Sequence, residues 1–347
     1  MIVERGLFKA NYLGPKNLIH ERNKGHVSTG PLFSCVVLVV LAFSAGRYGV
    51  GWDFWAYYDT IVYYRDTNIM MRGEMLTIHL IKLAQSMNNP QLYFVINSAI
   101  CVILLVITIK RYSCNAWLSL ILFVCFPLFY LNSFSVIRNF TAIAIVFYGT
   151  KYIYDQRFIG YVCSVLVAAL FHKSALVALP FYFLRDIHLN RLFTATLLVV
   201  LPLLNNILNR LVQLYFPQYI VYTSVSDSVA GTKAIYALLA IAVIFVVFQK
   251  FIFRRNPDID LPWNLFLTGI LIYLTFMRQG VMGHRLSLYG TIQSVLVVPE
   301  VVSIFTPRQR VLIEMAIYAL CLMMFFYTVS IGAMTYIPYR FFLFHNN

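Results

Sequence analysis

Eleven apolar runs follow one another along this chain, and they restrict its fold more than any other feature. A helix needs about 20 apolar residues to cross a bilayer, and shorter apolar helices can be tilted or cross only half of it. We therefore interpret each run as a candidate membrane span. The predicted spans are 31–46, 90–109, 115–132, 139–154, 158–171, 174–184, 193–212, 234–252, 262–277, 286–302 and 311–332.

The composition also favours a membrane protein. Of the 347 residues, 61% are hydrophobic and 12% are charged, whereas soluble domains contain about 45–50% apolar residues. We predict an all-α, polytopic transmembrane helical protein with eleven spans. No internal repeat or low-complexity linker divides the chain, so we expect one integral membrane domain over 1–347.

Two regions are not predicted to span. The polar, basic segment 1–30 is expected on the cytoplasmic side, and 47–88 is expected to form an outer loop. Within that loop, 75–88 has apolar residues at helical spacing and is predicted to be a helix lying in the interface. The short spans 158–171 and 174–184 meet at "FHKSA", which suits either a hairpin tip or a break within one dipping element.

Lysine and arginine are distributed unequally between the two sides. With a cytoplasmic amino terminus, sixteen of the 27 basic residues face the cytoplasm and eleven face outward. The positive-inside rule favours this orientation, in which Arg47, Arg138, His172 and Arg285 are all on the outer side. The inner set would attract anionic membrane lipid. Nucleic acid is not expected to be the partner of the outer set.

Metal and disulfide sites are not predicted. The six cysteines lie in or beside apolar segments without CxxC spacing. The Asp-x-Asp pair of Asp258 and Asp260 falls on the predicted cytoplasmic side, where we interpret it as a solvated turn. We therefore expect no metal and no cofactor.

The first candidate site is "GRYGVGWDFWAYYDTIVYYRD", residues 46–66. Arg47 offers a planar fork for an oxyanion, Asp53 is a carboxylate among aromatic residues, and Tyr57 and Tyr58 are candidate sugar contacts. This mixture suits a sugar on a phosphate carrier. The aromatic residues alone also fit a belt at the membrane surface, where Trp and Tyr are enriched.

The second candidate site lies at two predicted helix starts. Arg138 begins one inward helix, and His172, Lys173 and Ser174 begin another. A helix amino terminus attracts anions through its dipole and its free N–H groups, and an ionisable group at membrane depth is by default a functional-site hypothesis. The alternative is that Ser174 caps its helix, His172 is a core histidine, and the cations reach the interface.

The third candidate site is "MRQGVMGHRLSLYG", residues 277–290. Arg278 closes an outward span, while Arg285 and Tyr289 are four residues apart on the next helix. Hairpin charges are often only solvated, but several outward arginines on so apolar a chain fit a phosphate or pyrophosphate. We call Arg47, Arg138, Arg278 and Arg285 the arginine set, because a guanidinium can bind phosphate oxygens with two hydrogen bonds.

These segments together resemble a known family. "GRYGVGWDFWAYY", Glu74, "SFSVIRNFTAIAI", "ALFHKSALVALPFYF", "HRLSLYG" and "IPYRFFLF" are similar, in that order, to the EpsG-like branch of bacterial Wzy-type polysaccharide polymerases. The resemblance implies a GT-C-like, multi-pass glycosyltransferase of the bacterial inner membrane that makes O-antigen, capsule or exopolysaccharide. It implies undecaprenyl-pyrophosphate-linked glycans as substrates, and chain-length regulator and flippase proteins as partners.

The residues fit such chemistry without a metal. The arginine set would hold the pyrophosphate leaving group, Lys173 is a further candidate for binding substrate, and Tyr289 is a further candidate sugar contact. Asp53, His172 and Glu74 are the candidate bases for the acceptor hydroxyl. We expect Asp53→Asn to cost more activity than His172→Gln. A lipid-linked oligosaccharide flippase or transporter and a membrane O-acyltransferase remain alternatives, because both would also use such cations.

Overall fold

The structure is a computed structural model that describes residues 29–63, 74–203, 207, 210, 214, 234–256, 259–276 and 281–344. Arg278, Asp258 and residues 1–28 lie outside the described residues, so the predictions for them stay predictions. The α-helices are α1 Pro31–Ala45, α2 Phe54–Val62, α3 Met75–Ser86, α4 Gln91–Tyr112, α5 Ala116–Cys125, α6 Tyr130–Ser133, α7 Ile137–Tyr154, α8 Phe158–Phe171, α9 Arg191–Leu203, α10 Ala234–Arg255, α11 Asp260–Thr275, α12 Val281–Thr291, α13 Ser294–Ser303, α14 Pro307–Ile331 and α15 Ala333–Tyr336. Two 3-10 helices cover Lys173–Leu184 and Phe342–Phe344.

The described chain is helical apart from loops and one small sheet. Strands β1 (Arg47–Tyr48) and β2 (Arg340–Phe341) pair antiparallel, and the Phe342 amide donates to Gly46 O at 2.9 Å. The all-α prediction did not include this pair. It joins the first predicted motif, directly after α1, to the closing "IPYRFFLF" segment.

Some of the described helices are long and apolar enough to cross a membrane by themselves. Among the described residues, α4, α10 and α14 are long and apolar enough to cross a membrane, and α12 with α13 is a fourth candidate if that bent pair is one span. Several shorter apolar helices coincide with the other predicted spans. The chain is thus a polytopic, helical membrane protein, while the number of eleven spans stays a prediction.

Two predicted spans are broken in the structure. Span 115–132 stops at Cys125 and resumes at Tyr130, because a residue before proline is pushed out of the helical region; Phe126, before Pro127, has ψ of 130°. Span 286–302 is divided between α12 and α13, which are bent by 48°. Pro299 in α13 cannot donate to Val295 O, which instead accepts from Ser119 Oγ at 2.5 Å.

The short spans around "FHKSA" form a hairpin, which decides between the two readings of that segment. The ring of Phe158, at the start of α8, lies 5.0 Å from that of Tyr182, near the end of the long 3-10 helix. The Tyr161 hydroxyl also donates to Ala178 O at 2.8 Å. His172, with extended backbone, is at the tip.

Helix α7 occupies the interior and carries Arg138 near its start. Most of its residues are buried, and it packs against α4 and α8. The predicted interfacial segment is helix α3, which contacts α2, α4 and α8. Thr77 Oγ1 donates to Phe171 O at 2.9 Å, which fixes α3 against the hairpin tip. Two motifs that are distant in sequence are thereby brought together.

Helices α11 and α12 approach each other closely at paired glycines. A Cβ atom on Gly290 would lie 2.4 Å from Leu265 O, and one on Gly269 would lie 2.4 Å from the Thr291 amide nitrogen. Only glycine leaves room for backbones at this distance. This contact fixes α12, and with it Arg285 and Tyr289, against the packed helices.

Candidate functional site

Glu74 is the centre of a polar cluster in which the second predicted site meets the outer loop. Its carboxylate oxygen Oε2 accepts a hydrogen bond from Arg138 Nη1. The other oxygen, Oε1, lies 2.7 Å from His172 Nδ1 and 3.4 Å from the Lys173 backbone nitrogen. Glu74 is buried, with 6% exposure. Glu74 of the outer loop thus contacts both Arg138 and His172 of the second predicted site.

Arg138 is fixed from two directions but is not enclosed. Its Nε donates to the Tyr57 hydroxyl at 2.6 Å, while Nη1 bonds to Glu74. The Tyr57 ring is in turn stacked on that of Tyr93, with centroids 5.0 Å apart. The Arg138 side chain remains 23% exposed, and its Nη2 makes no hydrogen bond within the described part of the chain. This nitrogen can therefore bind a ligand.

Asp53 follows a turn that two distant segments hold in place. Gly51 has φ of +103°, and a Cβ there would lie 2.2 Å from Phe134 O. The Gly51 amide donates to Thr335 O at 3.2 Å, and the Trp52 amide donates to Ser135 Oγ at 3.1 Å. Asp53 precedes α2 without capping it through its side chain. The carboxylate is therefore positioned by the turn and is not used in capping.

The two carboxylates differ in their pKa shifts. Burial raises the pKa of Asp53 above its usual value, although the positive charges of Arg285 and Arg138 oppose the shift. Burial acts in the same direction on Glu74, but the hydrogen bond from His172 and the charge of Arg138 outweigh it, so the pKa of Glu74 is lowered. Asp53 is thus the better proton acceptor of the two. The sequence predicted only that neighbouring arginines would keep Asp53 ionised.

A second row of hydrogen bonds connects the hairpin tip to helix α12. Ser174 Oγ donates to Asn139 Oδ1 at 3.1 Å and lies 3.0 Å from the Tyr289 hydroxyl, which must then be the donor. The Asn139 side-chain amide reaches Arg285 O at 3.4 Å. Ser174 therefore links helices, and its side chain does not cap its own helix.

Arg285 is near this row and near Asp53. Its Nε is buried and has no hydrogen-bond partner among the described residues. Its charge acts on the Asp53 carboxylate. Arg47 Nε is buried without a partner in the described chain in the same way, but the Arg285 side chain is partly exposed, so the Arg285 guanidinium is the candidate for an anionic ligand.

The remaining predicted residues lie apart from the cluster. Arg47 is 1% exposed and donates to Ser44 O and, at 3.1 Å, to Ser98 Oγ. Tyr58 packs in an aromatic group with Tyr48, Phe54 and Trp55. The Lys173 side chain is exposed, and only its backbone N–H points to Glu74. The structure therefore does not bring Arg47, Tyr58 or the Lys173 ammonium group into contact with Glu74.

Sequence reasoning missed Asn139 and placed Asp260 wrongly. Asn139 is 2% exposed and bonds to two parts of the site; its signal was a polar residue inside an apolar helix, next to Arg138. Asp260 is 4% exposed and paired with His188, so it does not belong to a solvated turn. Three or more His, Cys, Asp or Glu side chains do not gather anywhere in the described ranges.

The arrangement combines unused guanidinium groups with a base. Arg138 Nη2 and the partly exposed Arg285 guanidinium can donate to an anion, and Asp53 and His172 can take a proton. The predicted sugar contacts Tyr57 and Tyr289 are buried, and their hydroxyls bond to Arg138 and Ser174. Such a site suits a reaction that releases an anionic group while a hydroxyl loses its proton.

Comparison with known proteins gives one match. The EpsG family model matches residues 31–341, which is most of the chain. The match includes every residue of the cluster just described. No curated protein and no solved structure matches the chain.

Proposed function

This chain belongs to the EpsG family, and from that premise we propose that it polymerises lipid-linked sugar repeat units as a metal-independent membrane glycosyltransferase. The family suggests a polysaccharide polymerase-type membrane protein. The finer proposal is that the substrates are undecaprenyl-pyrophosphate-linked oligosaccharides, used at the outer face of a bacterial inner membrane by a GT-C-like fold. The product would be an O-antigen, capsule or exopolysaccharide, and chain-length regulator and flippase proteins are the proposed partners.

The observation that carries this proposal is the presence of Arg138 and Arg285 around Asp53. Both positive charges act on that carboxylate, so a cationic region and a proton acceptor are adjacent. A lipid pyrophosphate leaving group needs the first, and an acceptor hydroxyl needs the second.

The proposed step forms one bond and breaks one. The oxygen of the acceptor hydroxyl attacks the anomeric carbon of the donor sugar, and the bond between that carbon and the pyrophosphate oxygen breaks. The electron pair leaves with the pyrophosphate, whose growing charge Arg138 and Arg285 stabilise. The hydroxyl proton passes to a base in the site, with Asp53 orienting the acceptor.

Purified protein in lipid nanodiscs, supplied with a pyrophosphate-linked repeat unit, tests the proposal. We expect a ladder of polymers from the wild-type chain and almost none from Arg138→Lys at equal protein. In proteoliposomes, movement of the lipid-linked substrate without new glycosidic bonds would instead indicate a flippase. Acyl transfer from an added acyl donor would indicate an O-acyltransferase. Either result without a ladder contradicts the polymerase proposal.

A further inference from the structure

Both carboxylate oxygens of Glu74 already face hydrogen-bond donors, so Glu74 is not placed to act as the general base. Oε2 accepts from Arg138, and Oε1 faces His172 Nδ1 at 2.7 Å and the Lys173 amide at 3.4 Å. The carboxylate is buried, with only 8% of the side chain exposed. The His172 side chain, with 17% exposure, is more accessible to a substrate than the Glu74 carboxylate.

The contact with Glu74 decides which ring nitrogen of His172 carries a proton. An ionised carboxylate only accepts hydrogen bonds, so the Nδ1 atom 2.7 Å from it must be a donor. Arg138 on the other oxygen keeps Glu74 ionised, because neighbouring positive charge favours the charged form of a carboxyl. In a neutral imidazole with a proton on Nδ1, Nε2 is the acceptor.

Nε2 of His172 is available for that role. It makes no hydrogen bond within the described residues, and it is not among their fully buried polar atoms without a partner. His284 provides a contrast on the neighbouring helix α12, since its Nε2 lies 3.2 Å from Asn132 Nδ2 and the residue is 6% exposed. Of these two histidines, His172 is the more accessible, with 17% of its side chain exposed.

We propose that Glu74 is a positioning residue that holds His172 as the Nδ1–H tautomer, so that His172 Nε2 accepts the proton of the acceptor hydroxyl. This inference rests on the proposed function for the identity of the hydroxyl. In the step, the O–H bond of the acceptor breaks as its oxygen bonds to the anomeric carbon, and the proton moves to Nε2. Glu74 stabilises the resulting imidazolium without itself taking the proton.

The groups around the dyad of Glu74 and His172 do not offer Nδ1 another carboxylate. Arg138 bonds to Glu74, and the charge of Glu74 interacts with three tyrosines, Tyr57, Tyr93 and Tyr289. The Lys173 ammonium is on an exposed side chain beside them. Asp53 acts on Tyr57 and is itself affected by Arg138, so it is the nearest alternative base.

A nitrogen-15 NMR spectrum of the histidine-labelled protein in nanodiscs tests the tautomer without any substrate. The signals of His172, one of seven histidines, are those lost in His172→Gln. At neutral pH we expect a protonated Nδ1 and an unprotonated Nε2. A protonated Nε2 in the wild-type protein, as the other tautomer or as an imidazolium, would overturn the proposal.

Two variants separate the tautomer from general effects on Arg138. Glu74→Ala removes the acceptor of Nδ1 and should abolish the preference for this tautomer. Tyr57→Phe also removes a partner of Arg138, but it does not touch His172, so it should leave the tautomer unchanged. Loss of the tautomer in Tyr57→Phe, or its persistence in Glu74→Ala, counts against Glu74 as the positioning group.

The polymerisation assay provides the second measurement. His172→Gln should lower the rate about 100-fold, as expected for loss of a general base, and more than Asp53→Asn, which reverses the order expected from the sequence. Added imidazole should restore part of the activity of His172→Ala, but not of the double variant with Glu74→Ala. A wild-type protein with the expected tautomer and no polymer would refute the function alone. Polymer formation with a protonated Nε2 would refute the dyad alone.

Discussion

Arg47 and Arg138 look equivalent in the sequence, but they are held in opposite ways. Arg47 is 1% exposed, bonds to Ser44 and Ser98, and packs against the rings of Phe94 and Phe134 at 5.4 and 4.7 Å. Arg138 has a carboxylate partner and a 23% exposed side chain with an unused Nη2, whereas the Nε of Arg47, also without a partner in the described chain, is fully buried. Burial lowers the pKa of Arg47 to about 10, so both remain charged at neutral pH.

The difference shows what distinguishes a structural arginine from a ligand-binding one. A buried guanidinium without a counter-ion holds a fold together through its hydrogen bonds, and it has no surface for a substrate. A guanidinium paired on one side and open on the other is pre-positioned for an anion. We therefore propose Arg138 and Arg285 as pyrophosphate-binding residues, and a structural role for Arg47.

Among the variants that test the contrast between these arginines, Arg138→Lys should produce the largest loss of activity. A lysine is a single point charge, so it cannot bond to Glu74, Tyr57 and a phosphate oxygen with the fixed geometry of a guanidinium. Loss of one charge-assisted hydrogen bond, worth about 1.5–3 kcal/mol, corresponds to at least about a tenfold fall in polymerisation rate. Arg285→Lys should behave alike. Rates are measured at equal membrane protein, and full activity in both variants would remove these arginines from the site.

Arg47→Lys should reduce the amount of folded protein without changing the rate per molecule. The ammonium group would remain buried between Phe94 and Phe134 with fewer hydrogen bonds, which costs about 1–3 kcal/mol. Arg47→Met is the matched control, since an apolar chain of similar length leaves no buried charge. Normal folding of Arg47→Met with loss of activity would place Arg47 in the ligand site and end the contrast with Arg138.

Removing the charge of Glu74 and removing that of Asp53 should change Tm in opposite directions, which thermal unfolding at pH 7 and pH 5 can measure. The pKa of Glu74 is lowered in the folded state, so its ionised form stabilises the fold above the ordinary carboxyl pKa, and this stabilisation is lost only as the pH falls below that value. Glu74→Gln should therefore lower Tm at both pH 7 and pH 5. The pKa of Asp53 is raised, so its ionised form is unfavourable at pH 7. Asp53→Asn should raise Tm at pH 7, and the gain should shrink as the pH falls through the folded-state pKa of Asp53 toward the ordinary carboxyl value. Equal signs for the two variants would contradict these assignments.

Changes at Lys173 should have the smallest effects. Its side chain is exposed, so Lys173→Arg and Lys173→Ala should polymerise at nearly the wild-type rate. Compared with Lys173→Ala, Lys173→Pro additionally removes the amide that faces Glu74 Oε1. The proline fits here because His172 is already extended and residue 173 begins its helix. A modest loss of polymerisation in the proline variant alone would show that the Lys173 backbone N–H contributes through its contact with Glu74. A large loss in Lys173→Ala would instead indicate that the ammonium binds substrate.

Much of the helix pattern could be predicted, because apolar runs in a membrane chain have few alternatives to helix. The span 158–171 agrees with α8 at both ends. The break after Cys125 was missed, although Pro127 offered a local signal for it. Glu74 and His172 were both recognised as candidates, since a carboxylate and an imidazole in an apolar chain are conspicuous.

The roles of these residues depend on contacts that sequence patterns do not contain. The pairing of Glu74 with both Arg138 and His172 requires the outer loop to fold against the hairpin tip. The burial of Arg47 requires α4, which provides Ser98 and Phe94, and the loop that provides Phe134. Residues far apart in sequence thus determine which arginine is accessible to a ligand. The sequence could therefore identify the arginine set, but it could not separate the structural Arg47 from the proposed ligand-binding arginines.

The pairing of β1 with β2 has a consequence for the order of biosynthesis. The turn before Asp53 is made early, but Thr335, which accepts from the Gly51 amide, and Phe341, which pairs with Arg47, leave the ribosome only after α14. A nascent chain that has inserted all these helices still lacks the supports that fix Asp53. Asp53 is therefore fixed only after β2 has been made, and a premature stop after α14 would yield an inserted protein without a complete site.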